Sequence, residues 1–113
     1  MNIPKHIYEL LQKLLTKTIE KKIIWTSTSR DTEYMAVFTG GHVTIDVWSF
    51  EDIRSSDFAV FNNDGVEIER VTYSKMLDSE EYAYLSNLHS KIMNSITKAD
   101  ETYNSLFDEL DNL

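Results

Sequence analysis

The chain has 113 residues, no cysteine and a formal net charge of −8. This length suits one domain with an apolar core, and the lack of cysteine excludes disulfides, thiolate metal sites and a thiol nucleophile. The acidic balance argues against nucleic acid as a partner, because such binding depends on Lys and Arg meeting phosphate. No apolar run approaches the ~20 residues that a membrane span needs, so we expect a soluble cytoplasmic protein without membrane contact.

The charge is unevenly divided along the chain. Residues 1–30 hold six basic and two acidic residues, whereas residues 31–113 hold five basic and seventeen acidic residues. Acidity of this kind often serves solubility alone. It also suits a surface that binds a basic partner protein, or one that imitates nucleic acid.

The first predicted element is a helix over residues 4–21. Pro4 suits its first turn, where the missing N–H costs nothing. A helical period places the following residues on the predicted buried face: Ile3, Ile7, Leu10, Leu11, Leu14, Thr18 and Ile19. Lys13, Lys17 and Lys21 recur every four residues and form a basic row on the outer side.

Five strands are predicted next, over residues 22–28, 33–39, 42–50, 57–62 and 66–73. Gly40-Gly41 predicts a two-residue hairpin turn, and Asn63-Asp64-Gly65 predicts a second hairpin. Residues 51–56 between the two hairpins are predicted to form a loop. Sequential strands joined by short turns favour an antiparallel meander.

Alternation in the third strand separates its two sides. Val43, Ile45 and Val47 point one way, and Thr44, Asp46, Trp48 and Phe50 point the other way. Asp46 marks the second side as the more solvated one. Trp48 and Phe50 either pack under a helix or form an exposed anchor for another protein.

The last predicted element is one continuous helix over residues 79–111. Its apolar stripe has a seven-residue period, formed by Tyr82, His89, Ile96, Tyr103 and Leu110 together with Leu85, Ile92, Ala99, Leu106 and Leu113. Such a rod is roughly 50 Å long, against a diameter of about 26 Å for a domain of this size. We therefore expect an overhanging apolar stripe and a homodimer formed through this helix. The predicted interface residues are His89, Tyr103, Leu106 and Leu110 on the helix, together with Trp48 and Phe50 as anchors for another protein.

No motif in the sequence indicates catalysis. The three histidines (His6, His42 and His89) each lack a second ligand at helical spacing, so no metal site is expected. Gly40-Gly41 precedes a strand rather than a helix, so it does not form a phosphate loop. Asp46 beside Trp48 is the best candidate for a catalytic carboxylate, but a strand residue facing outward explains it better. We predict no catalytic, cofactor-binding or metal-ligating residue and no cofactor.

Three short segments carry a resemblance. Ile23-Ile24-Trp25, the Asn63-Asp64-Gly65 turn and the Leu85-x-x-Leu88 start of the last helix resemble, in order and type, small uncharacterised bacterial and phage-borne proteins with a leading helix, a β-meander and a closing helix. The resemblance implies an immunity or inhibitor role against another protein. It transfers no catalytic residue.

These observations together predict an α+β single domain acting as a non-enzymatic protein-interaction module. In that interpretation it self-associates through the C-terminal helix and engages a basic partner through its acidic face. Two alternatives stay open. The first is a small-molecule binder or weak enzyme that uses a sheet–helix cleft around Trp25, Tyr34 and Trp48, and the second is an acidic nucleic-acid mimic.

Overall fold

The computed structural model describes all 113 residues and has an α+β architecture. The elements are α1 (Lys5–Ile19), β1 (Thr26–Ser27), β2 (Glu33–Phe38), β3 (Gly41–Phe50), β4 (Ile53–Asn62), β5 (Glu67–Ser74), α2 (Ser79–Thr97) and α3 (Ala99–Asp111). The predicted leading helix and the five-stranded antiparallel meander are confirmed, with the strands in the order β1-β2-β3-β4-β5. None of the three helices combines the length and hydropathy that crossing a membrane requires.

Two details of the first strands differ from the prediction. The first strand is only two residues long, because β1 pairs with β2 only at Thr26 and Ser27. In the first hairpin Phe38 pairs with Gly41, so the turn residues are Thr39 and Gly40 rather than Gly40 and Gly41. Gly41 belongs to the strand and has a φ of 155°.

The predicted loop over residues 51–56 is wrong. Phe50 pairs with Ile53, so Glu51 and Asp52 alone form the turn between β3 and β4. Their φ angles are 50° and 65°, and positive φ at both central residues is typical of a type I′ hairpin turn. This turn continues β4 back to Ile53 and makes β3 and β4 a pair of ten-residue strands.

Both α1 and α2 pack on one face of the sheet. A buried cluster joins Ile7, Leu11 and Leu14 of α1 with Leu85, Leu88 and Ile92 of α2 and with Trp25, Tyr34, Ala36, Val43, Ile45 and Phe58 of the strands and their approach. The alternation predicted for β3 holds, since Val43 and Ile45 face this cluster. The opposite face of the sheet carries no helix.

The single C-terminal rod is a wrong prediction, because the chain breaks at Lys98. Lys98 adopts φ 53° and ψ 38°, the left-handed region, and separates α2 from α3. Local polar contacts explain the break. The Asn94 side chain accepts a hydrogen bond from the Asp100 amide (3.2 Å) and donates one to the Asp100 carboxylate (2.7 Å). These bonds satisfy groups at the start of α3 and compete with a continuous helix.

Candidate docking surfaces

The apolar stripe of α3 is uncovered. No residue of α3 is buried, and the large apolar side chains of α3 and of Leu113 just after it range from 48% to 97% exposed: Tyr103, Leu106, Phe107, Leu110 and Leu113. At helical spacing these side chains occupy one arc of roughly 120°. An uncovered apolar stripe is therefore present in this part of the chain, but it lies on a separate helix and not on the predicted continuous rod.

The polar side of α3 faces its own domain. The Glu101 carboxylate accepts a hydrogen bond of 2.8 Å from the Lys21 ammonium that follows α1. Glu101 lies on the side of the helix opposite the apolar arc, at about 180° from its centre. The apolar arc of α3 consequently points away from the sheet and the other helices. A globular protein normally buries that side of an amphipathic helix.

The ion pair between Lys21 and Glu101 joins the two oppositely charged parts of the chain. Its hydrogen bond and charge lower the pKa of the Glu101 carboxyl and raise the pKa of the Lys21 ammonium. Both side chains are solvent-exposed, so this contact orients α3 more than it stabilises the fold. The other acidic residues of α3 are Asp100, Asp108, Glu109 and Asp111, and α3 contains no basic residue.

Trp48 and Phe50 lie on the helix-free face of the sheet, near the β3–β4 turn. Phe50 is 70% exposed, and Trp48 is half-buried. The Arg30 guanidinium, from the loop between β1 and β2, lies over the Trp48 ring at 5.6 Å from its centroid. These two aromatic residues therefore do not pack under a helix. The other interpretation, in which they anchor another protein, stays a prediction.

Asp46 lies beside Trp48 on the same face but is not a solvated strand residue. Its side chain is 2% exposed, and its direct cross-strand partner is Asp57 of β4. The Arg30 Nη2 lies 2.8 Å from Asp46 Oδ2, and the Arg70 Nη1 lies 2.5 Å from Asp57 Oδ1. The prediction that Asp46 marks a wet surface is thus wrong, because side chains from the neighbouring strands and the Arg30 loop cover it.

Asp57 has a perturbed acidity. Burial raises the pKa of its carboxyl, and the Asp46 charge adds to the rise. A hydrogen bond from Thr72 and the Arg70 charge act in the opposite direction. When folding raises the pKa of a carboxyl, its contribution to stability is fully present below the pKa that the carboxyl has in the unfolded chain. This contribution is lost as the pH rises through the pKa that the carboxyl has in the folded protein.

We expect Asp57→Asn to change the pH dependence of stability. The unfolding midpoint of the wild type, measured relative to that of Asp57→Asn, should fall as the pH rises from about 3 to 7, because only the wild type must ionise this buried carboxyl. Urea denaturation at a series of pH values measures this difference. Asp64→Asn, which removes an exposed turn carboxyl, is the matched control. A difference that is constant or grows with pH would contradict the assignment.

The predicted cleft around Trp25, Tyr34 and Trp48 does not exist. Trp25 and Tyr34 are buried in the core beneath the helices, and the Trp25 indole donates a hydrogen bond of 2.9 Å to the Thr18 hydroxyl. Trp48 lies on the other face of the sheet. A crevice of about 380 Å³ lies instead between α1, α2 and the start of α3, and its nine lining residues include one apolar side chain.

His89 makes its contacts within the chain. Its ring Nε2 lies 2.7 Å from the Thr32 carbonyl oxygen, and its ring centroid lies 4.9 Å from that of Tyr34. The structure therefore separates the predicted interface residues into three places. Tyr103, Leu106 and Leu110 lie together on α3, Trp48 and Phe50 lie on the sheet, and His89 lies between α2 and the β1–β2 loop.

Sequence reasoning missed three charged residues of the sheet face: Arg30, Asp57 and Arg70. The proximity of Asp57 and Arg70 to Asp46 depends on strand register, which the misplaced loop over residues 51–56 concealed, whereas Arg30 reaches this face from the loop between β1 and β2. No group of three or more His, Cys, Asp or Glu side chains has an arrangement that could hold a metal ion. Comparisons of this chain with protein-family models, with curated proteins and with solved structures find no match.

Proposed function

We propose that this protein is a non-enzymatic protein-interaction module that self-associates through α3. The observation that supports this proposal best is the orientation of α3, whose apolar arc points away from its own domain while Glu101 faces inward. Two copies that apply the same arc to each other form an isologous interface, the commonest arrangement in soluble oligomers. Removing large apolar side chains from water supplies the driving force.

The charge distribution supports a second copy as the occupant of this surface. The acidic residues of α3 have no basic neighbour on their own helix, whereas Lys13 and Lys17 are exposed on the outer side of α1. We expect the basic row of one copy to face the acidic helix of the other copy in such a dimer. Opposite charges across an interface favour association and select its orientation.

The concrete form of the proposal is an immunity or inhibitor protein of a bacterium or mobile element. Its mechanism is occlusion: the exposed aromatic and aliphatic side chains bury apolar area against the target, and the surrounding carboxylates discriminate against acidic partners. The resemblance described above supports this role, as do the two separate exposed surfaces. A protein with two such surfaces can bind its own copy and a target at once.

We expect Leu106→Asp with Leu110→Asp to make the protein monomeric. The two charges lie in the centre of the apolar arc, where self-association would desolvate them. Because α3 contributes no residue to the buried core, the far-UV circular dichroism and the thermal midpoint of the diluted, monomeric domain should change little. Light scattering after size-exclusion chromatography, over a range of protein concentrations, measures the molar mass.

The matched control is Asn104→Asp with Ser105→Asp. It adds the same charge to the same helix, but on its polar side, and should leave the dimer intact. A wild-type protein that stays monomeric at the highest concentration would refute self-association. Equal weakening by both double variants would mean that net charge, rather than the apolar arc, controls assembly.

A further inference from the structure

The helix-free sheet face contains a buried carboxylate whose hydrogen-bonding capacity is unused. Asp46 is 1% exposed as a residue, yet neither of its carboxylate oxygens accepts a hydrogen bond. The Arg30 guanidinium is close enough for an ion pair, at 2.8 Å, but its N–H groups are not aligned with the oxygen. Two residues earlier on the same face, the buried Thr44 hydroxyl also has no partner. Buried polar groups in native proteins are usually paired, so the Asp46 carboxylate retains capacity to accept hydrogen bonds from a bound group.

The charge around Asp46 is not balanced. Its cross-strand neighbours are Glu33 on β2 and Asp57 on β4, so three carboxylates stand in a row across three strands. Arg70 is shared between Asp57 and Glu67, at 2.5 Å and 2.7 Å. Only Arg30 therefore remains to neutralise Asp46 and Glu33. The excess of negative charge favours a cation held closely against Asp46, because partly buried charges are only weakly screened.

The position of Arg30 indicates the chemical class of that cation. Its guanidinium lies over the Trp48 ring and beside the Asp46 carboxylate. We call the site formed by Trp48 and Asp46 the cradle, because it combines an aromatic ring with a carboxylate. The Arg30 side chain is 57% exposed and comes from a loop, so it reaches the cradle from the side. A planar guanidinium both stacks on an aromatic ring and donates paired hydrogen bonds to a carboxylate, whereas an ammonium cannot do both.

We propose that the cradle formed by Asp46 and Trp48 binds an arginine side chain of a partner protein. Arg30 occupies the cradle in the isolated chain and is displaced on binding. An arginine arriving from solvent can align two N–H groups with Asp46, which Arg30 does not. The exposed Phe50 and Ile53 at the adjacent turn supply apolar contacts for the rest of the partner. This inference rests on the proposed role as an interaction module, but it uses a surface separate from α3.

The two tryptophans allow a direct test by NMR. The indole N–H signals of Trp25 and Trp48 report on the core and on the cradle respectively, and Trp48→Phe assigns them. In Arg30→Ala, the peptide acetyl-Gly-Arg-Gly-amide should shift the Trp48 signal saturably and leave the Trp25 signal in place. In the wild type the same peptide should bind at least about tenfold more weakly, because Arg30 competes for the cradle. Arg30→Gln is the second variant should Arg30→Ala fail to fold, and it should behave alike.

Two controls decide between a specific cradle and general charge attraction. Adding Asp46→Asn to the Arg30 variant should abolish the saturable shift, and the lysine and citrulline versions of the peptide should shift Trp48 far less. Equal responses to the arginine and lysine peptides would overturn the proposal, as would an unchanged response in the Asp46→Asn background. The absence of any Trp48 shift in a folded Arg30 variant would also overturn it. None of these outcomes depends on α3, so self-association is tested separately by the molar mass.

Discussion

Phe58→Ala should lower the free energy of unfolding by about 3–5 kcal/mol, the range observed when a large aromatic side chain is removed from a core. Phe58 is fully buried on β4, between Ile45 of β3 and Val71 of β5. It belongs to the buried cluster that joins α1 and α2 to the sheet, so the substitution would leave a cavity among side chains of all three. For a domain of this size the loss is a large fraction of the ~5–15 kcal/mol of total stability. Equilibrium urea denaturation measures it.

Phe50→Ala provides the comparison for this substitution. Phe50 lies on the neighbouring strand and is mostly exposed, so its removal should change the free energy of unfolding by less than about 0.5 kcal/mol. A small effect of Phe58→Ala would mean that the helices do not pack on the sheet as described. A large effect of Phe50→Ala would mean that the helix-free face is covered within the single chain.

The sheet was predictable where its turns have a chemical signature. Asn63-Asp64-Gly65 identified the last hairpin, and in the structure the Asn62 side chain accepts hydrogen bonds from the Asp64 and Val66 amides while Gly65 has a φ of 82°. The turn at Glu51 and Asp52 was missed because it has no such signature. Both residues have positive φ, yet neither is Gly or Asn, the residues that tolerate this conformation best.

The same missed turn concealed the charged row of the sheet face. Once Phe50 and Ile53 are paired, counting four residues outward on each strand places Asp46 opposite Asp57. The residue types were visible in the sequence, but their proximity was not, because register follows from turn length. Trp48 and Phe50 were recognised as surface candidates because the alternation of side chains along one strand can be read without knowing which residues lie on the neighbouring strand.

The break at Lys98 shows a limit of apolar periodicity. The stripe from Tyr82 to Leu113 keeps its period through the break, because the pattern reports which side chains are apolar and not whether the backbone is continuous. The break depends on polar side chains. The Thr97 hydroxyl donates to the Met93 carbonyl, and Asn94 binds Asp100 on the far side of Lys98. Such contacts compete with helical bonds and have no periodic signature.

Gly41→Ala should destabilise the fold by roughly 1–3 kcal/mol or more, the cost of a forced steric overlap in a packed site combined with an unfavourable backbone conformation. Gly41 lies at the start of β3, opposite Asn62 of β4, with a φ of 155°. A Cβ placed there would overlap the Phe61 carbonyl oxygen, which belongs to the backbone and cannot rotate away. The two strands would have to separate at the point where three strands meet.

Gly40→Ala is the matched control, since it makes the same change one residue earlier. A Cβ on Gly40 would meet nothing within 4 Å, and Gly40 does not have a positive φ. This substitution should be neutral, or stabilising by about 0.4–1 kcal/mol, because alanine restricts the unfolded chain. Urea denaturation of the two variants side by side therefore tests the hairpin register. If the true turn were Gly40-Gly41, both residues would need conformational freedom and both variants would lose stability.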